Sequence, residues 1–119
     1  MSSTPPRPTS MIGATIDAAK SLARSGRNTA AAQMLQTLAE HGDNRHEAAY
    51  ELGVLFLNRG NAPDAIRWFD VALKLGNTRV DCYYNLATAC FMDGDFERSA
   101  EAYGRAAELN NGDPRAING

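Results

Sequence analysis

Apolar residues recur at three- and four-residue spacings along most of this chain, and short polar or glycine-bearing breaks interrupt them at regular distances. That periodicity is the signature of amphipathic helices. It predicts six, at about 11–25, 28–41, 45–59, 62–75, 79–93 and 96–110. Gly60 closes the third, because glycine accepts the left-handed backbone that a helix C-terminus calls for. Asn61 suits the N-cap that follows, and Pro63 suits a first turn, where no N–H partner is needed. Gly94 with Asp95 forms the same kind of break, and so does Gly26 with Asn28 or Thr29.

The breaks belong to a repeat. Gly26, Gly60 and Gly94 are 34 residues apart, twice over. The same offset aligns small residues at Ala19, Gly53 and Ala87, and again at Ala31, Ala65 and Ser99. It aligns large ones at Leu35, Phe69 and Tyr103, and apolar ones at Leu22, Phe56 and Cys90. Small side chains let two helices approach, and large ones fill the space between them. A pair of helices cannot bury its apolar face alone, so units stack and bury it against their neighbours. Phe69 should therefore be a central core residue.

The segment Tyr50-Glu51-Leu52-Gly53, followed by Phe56, Gly60, Ala65, Phe69 and Ala72, resembles the tetratricopeptide repeat. So does Tyr83-Tyr84-Asn85-Leu86-Ala87, followed by Gly94-Asp95-Phe96, Ala100, Tyr103 and Ala106. The first unit departs from the pattern with Ala18 and Ala19 in place of Leu-Gly, and Asn77 and Asn111 stand where the family usually has proline. The resemblance implies an all-α fold, an α-α superhelix (solenoid) of three helix-turn-helix repeats with six helices. The repeat domain would span 11–113, with repeats at about 12–45, 46–79 and 80–113. Residues 1–10, rich in Pro, Ser and Thr, are expected to be a disordered arm, and 114–119 a tail.

In that family the first helix of each unit lines a concave groove that holds a peptide or partner segment. The middle unit has an apolar stripe to spare for such a role. Ala49, Leu52, Gly53 and Phe56 face one way, while Tyr50, Val54 and Leu57 form a second face of the same helix. At the repeat offset this second face maps to Tyr84, Thr88 and Phe91, and to Ile16, Lys20 and Ala23. The flanking sites are Glu51 with Asn85, and Asn58 with Met92 and Arg24. The expected partner-binding set is therefore Lys20, Arg24, Tyr50, Glu51, Val54, Leu57, Asn58, Tyr84, Asn85, Thr88, Phe91 and Met92. Asn85 would bond a peptide backbone, and Lys20 with Arg24 would make one end basic. The implied partner is another protein or peptide with apolar anchors and an acidic group. The competing reading is that these apolar residues merely contact the next unit. The carboxylate clamp of co-chaperones of this type uses paired Lys and Asn across units. Here Ile16 and Tyr50 occupy the corresponding sites and only Asn85 fits.

Composition changes this picture little. The 119 residues include 22 % charged side chains and carry a net charge of −2, so the basic footprint of a nucleic-acid binder is missing. Residues 1–45 carry five Lys/Arg against three Asp/Glu, and 46–119 carry seven against eleven. No apolar run approaches a membrane span. Cys82 and Cys90 lie on one helix about 12 Å apart, too far for a disulfide, and read as small core residues suited to a reducing, cytoplasmic setting. His41, Asp43 and His46 share a turn in which polar residues are ordinary, and no metal site or cofactor is expected. Trp68 reads as outer-layer packing rather than a binding hot spot. A catalytic Ser or Cys beside an oriented His is missing, so an interaction module (adaptor, assembly factor or chaperone) is expected rather than an enzyme. The alternative is a structural self-association module with no free-peptide ligand. In the last helix Ile66, Trp68, Val71 and Leu73 are replaced by Ala100, Ala102, Arg105 and Ala107, which suggests a face turned to water. The family usually adds a capping helix there, and homo-oligomer formation through the array end is the substitute for one.

Overall fold

The computed structural model describes residues 7–110, with side chains from Ile16 onward, as six helices in three pairs: α1 Arg7–Arg24, α2 Asn28–His41, α3 Arg45–Asn58, α4 Ala62–Lys74, α5 Val80–Asp93 and α6 Phe96–Asn110. Each helix packs on its predecessor and successor, and the first helices α1, α3 and α5 touch lightly along one side. The extents, 60 × 33 × 22 Å, are those of an open stack, not a closed bundle. The tail at 114–119 lies outside the described residues, as do residues 1–6 of the expected arm. Arg7–Ser10 continue α1 instead of belonging to that arm. Pro8 is no obstacle there, because a first turn has no N–H to satisfy.

The repeating breaks adopt the expected geometry. Gly26, Gly60 and Gly94 all have positive φ, with values of 91°, 79° and 89°. Asn61 caps α4: its Oδ1 accepts from the Asp64 N–H at 3.3 Å, and its amide nitrogen donates to the Asp64 carboxylate at 2.9 Å. Asp95 does the same for α6, accepting from the Arg98 N–H at 3.2 Å. Neither Asn28 nor Thr29 caps α2; that position falls to Arg27, which makes no side-chain cap bond.

The core follows the small-and-large alternation. Ala19, Ala31, Ala65 and Ala87 are fully buried, and Ser99 is nearly so. The Ser99 hydroxyl donates to the Ala87 carbonyl at 2.8 Å, which satisfies a polar group in a tight space. The closest approach is at Gly53, where a β-carbon would stand 2.5 Å from the ring of Phe69. Phe69 is 0 % exposed. Its counterpart Tyr103, expected to be equally enclosed, is 37 % exposed, because α5 covers Phe69 and no described helix covers Tyr103.

Successive units are joined by polar contacts at the turn after α4. The position where proline was expected holds Asn77, which is 1 % exposed. Its amide nitrogen donates to the His46 carbonyl at 3.5 Å, and its Oδ1 accepts from the Arg79 backbone N–H at 3.3 Å. Arg79 in turn bonds Glu47 at 2.6 Å and lies over the ring of Tyr50 at 5.5 Å. Arg98 pairs with Asp70, tying α6 to α4. Cys82 and Cys90 are both buried free thiols. Burial pushes the Cys82 thiol up to about 12.

Tyr50 is part of this joint. Its ring meets Phe69 at 5.9 Å, and its hydroxyl accepts a 2.9 Å hydrogen bond from the Asn85 amide. Burial, then the charges of Asp81 and Glu51, push its phenol up to about 12.

Two outcomes follow from this packing. Gly53→Ala should lower the free energy of unfolding by about 1–3 kcal/mol, as overpacking does, and Phe69→Leu in the same chain should return part of it. Urea unfolding of the single and double variants checks this; equal stability of wild type and Gly53→Ala would remove the close contact. For Tyr50, a raised pKa means stability is complete below the ordinary value of 10.0 and is lost as pH climbs to about 12. Unfolding curves over that interval should therefore fall more steeply for wild type than for Tyr50→Phe.

Candidate functional site

The face formed by α1, α3 and α5 carries the residues expected to bind a partner, and the structure divides them into three groups. One group comes together at an open hollow of about 140 Å³ between α1 and α3. Lys20, Arg24, Glu51, Val54 and Asn58 all line it, over a floor that includes Leu35 and Leu55. These five were expected from the repeat register alone. Lys20 reaches Glu51 at 3.5 Å. Burial pushes the Glu51 carboxyl above its usual range, the Lys20 charge pulls against that, and Glu47 adds to the rise. Lys20 is thus engaged inside the chain, and Arg24 is an exposed cation on α1.

A second hollow, about 260 Å³, adjoins the first. It shares Ala23, Arg24, Leu55 and Asn58 with it and adds Asn28 and Arg59. Neither Arg59 nor Asn28 was singled out from sequence. Both lie at helix ends beside glycine breaks, where the sequence reading assigned capping and turn roles. The combined surface is apolar at its base and carries two guanidinium groups at its rim, so it can accept an apolar side chain next to a carboxylate.

The second group is consumed by packing. Tyr50 and Asn85 bond each other, which engages one N–H of the Asn85 amide, and the Tyr50 ring packs near Phe69 at the joint between units. Leu57 is half-buried against the core.

The third group belongs to the last pair of helices. Tyr84, Phe91 and Met92 are exposed there, together with Phe96, Tyr103 and Leu109 from α6. Tyr84 meets Tyr103 edge-on at 5.4 Å, and Phe91 meets Phe96 at 5.2 Å. The Thr88 hydroxyl lies 3.2 Å from that of Tyr103 and also donates to the Tyr84 carbonyl. The face expected to turn polar residues to water therefore presents an aromatic ridge. Of the four substituted sites compared above, Ala100, Arg105 and Ala107 are exposed, but Ala102 is buried.

Elsewhere the candidates are ordinary. His46 is half-buried, with its Nδ1 atom lacking a partner, and His41 is exposed at 3.8 Å from Glu40. Among the described residues, no three His, Cys, Asp or Glu side chains gather as a metal site would require, and no helix is long and apolar enough to cross a membrane. Trp68 is half-buried, with Arg67 over its ring at 5.7 Å.

No curated protein matches this sequence. Among solved structures, the crystal structure of MamA is similar, with a TM-score of 0.75 and 23 % identity. The alignment covers 88 % of this chain but 61 % of that one, so this chain spans less than two thirds of the MamA chain, and the likeness is one of fold. The tetratricopeptide repeat matches over residues 16–80 and again over 80–113. Repeats of this kind mediate contacts between proteins and are generally non-catalytic. With three stacked helix pairs, the 34-residue register and these two matches in agreement, the chain belongs to the tetratricopeptide repeat family.

Proposed function

We propose that this chain is a protein-interaction module that takes a partner segment into the paired hollows between α1 and α3. The observation that carries this reading is the meeting of Arg24, Asn58, Val54 and Leu55 around one apolar depression. The partner segment has an apolar residue for the floor and an adjacent Asp or Glu for the rim. Its carboxylate meets Arg24 and Arg59, because Lys20 already pairs with Glu51. This narrows the groove expected from the repeat register to its first half. An adaptor, an assembly factor and a chaperone would all use such a surface.

A set of short peptides pairing one large apolar residue with one acidic residue supplies the probe, with fluorescence anisotropy as the readout. Arg24→Glu should weaken the best peptide about tenfold or more, since each tenfold is about 1.4 kcal/mol. Lys74→Glu, a charge reversal on α4 away from the hollow, should leave binding unchanged. Equal loss in the two variants would reduce the effect to net charge, and no loss in Arg24→Glu would end this reading.

A further inference from the structure

Among the described residues, the α5–α6 end of the array repeats, with no helix laid on it, the surface on which α5 sits one unit earlier. In the middle unit α5 and the turn before it meet Glu47 through Arg79, Tyr50 through Asn85, and Phe69 through Cys82. One period later these sites are Asp81, Tyr84 and Tyr103. They border a hollow of about 410 Å³ that also includes Val80, Ala106 and Asn110. Exposure rises accordingly: Phe69 at 0 % becomes Tyr103 at 37 %, and Ala62 at 5 % becomes Phe96 at 60 %. Tyr103 stands in water where α5 covers Phe69 one unit earlier, and Phe96 stands in water where the preceding unit has a buried alanine.

The outer face of α1 shows the opposite change. Positions held in the later first helices by buried Leu52 and Leu86, and by buried Leu55 and Ala89, are Ala18 and Ser21, and both are exposed. Bulk is gained on one end of the array and lost on the other, in the same register. Charge is divided the same way. Residues 80–110 hold six acidic side chains against Arg98 and Arg105, whereas 7–24 hold Arg7, Lys20 and Arg24 against Asp17 alone. Asp17 occupies the register position of Asn85, whose amide bonds the Tyr50 hydroxyl. Against the open end, its carboxylate faces the Tyr84 hydroxyl, a donor it can accept from.

We infer that the occupant of the open end is a second copy of this chain, with its α1 laid on the α5–α6 face as α5 lies on α3 and α4. The contact joins two different surfaces, so it does not close on itself after two copies, and the array continues from one molecule into the next. The α5–α6 pair and α1 carry opposite net charges by sequence, so the association is sensitive to ionic strength. The inference goes beyond the peptide-binding reading, since neither Ala18 nor Ser21 lines the hollows between α1 and α3.

Sedimentation velocity on the full chain over a concentration series tests it. Wild type should form species larger than two copies, with average mass rising with concentration and falling as salt is added. Phe96→Glu damages the open end and Ala18→Glu damages the α1 face; both sites are exposed, and an unchanged helical circular dichroism signal confirms folding. Each variant alone should remain a monomer, and their equimolar mixture should give a one-to-one dimer and nothing larger. A wild type that stays monomeric would overturn the inference, as would one that saturates at a symmetric dimer. A mixture that stays monomeric would do the same and would leave the aromatic ridge to a different protein.

Discussion

The approach of the Gly53 backbone to the ring of Phe69 sets the spacing of everything around it. Without a β-carbon at 53, α3 and α4 close on the aromatic ring instead of standing off from it. The ring is then the platform on which α5 rests, with Cys82 against the Phe69 carbonyl and Tyr50 tilted onto the ring edge. The other units have alanine at the equivalent site, Ala19 and Ala87, so the middle pair has the tightest junction of the three. The position of α3 relative to α1 and α5, and hence the shape of the surface they share, is inherited from that junction.

Polar contacts between units have a different task. Lys20 with Glu51 and Arg98 with Asp70 each connect one unit to the next, and Arg79, in the turn leading into α5, holds Glu47 at the start of α3. Such partly exposed pairs contribute about 0–1 kcal/mol each and do not hold the stack together. They fix register, because a stack of similar apolar faces tolerates sliding more readily than a set of matched charges does. The same pairs take Lys20 and Glu51 out of the partner-binding inventory and leave the hollow with its rim of Arg24, Asn58 and Arg59.

The helices were legible in the sequence because their breaks repeat. Three glycines at one interval, with Asn61 and Asp95 behind two of them, set that period, and every helix end except the start of α1 falls within one residue of expectation. The beginning of α1 was not legible. A Pro, Ser and Thr composition reads as disorder, while Pro8 in a first turn is compatible with a helix. Four of the expected residues line one hollow because Lys20 with Val54, and Arg24 with Asn58, occupy equivalent register positions. The Tyr50–Asn85 bond could not be read that way. Those two residues are 35 apart, one more than the period, and a register compares equivalent positions rather than neighbours. The aromatic ridge was available from the same alignment, since Phe96 stands opposite Ala62. Attention to bulk lost at four sites in α6 hid the bulk gained at this one.

The turn at Asn77 has a mechanical consequence. One amide side chain there holds the α3 entrance through the His46 carbonyl and also organises its own loop, while Arg79 beside it grips Glu47 and Tyr50. Among the described residues, Asn44 makes no side-chain cap at the earlier turn between α2 and α3, and Arg45 donates to the Ala39 carbonyl just behind it. Bending stress between the second and third pairs is therefore carried by the Asn77 and Arg79 clasp as well as by apolar packing.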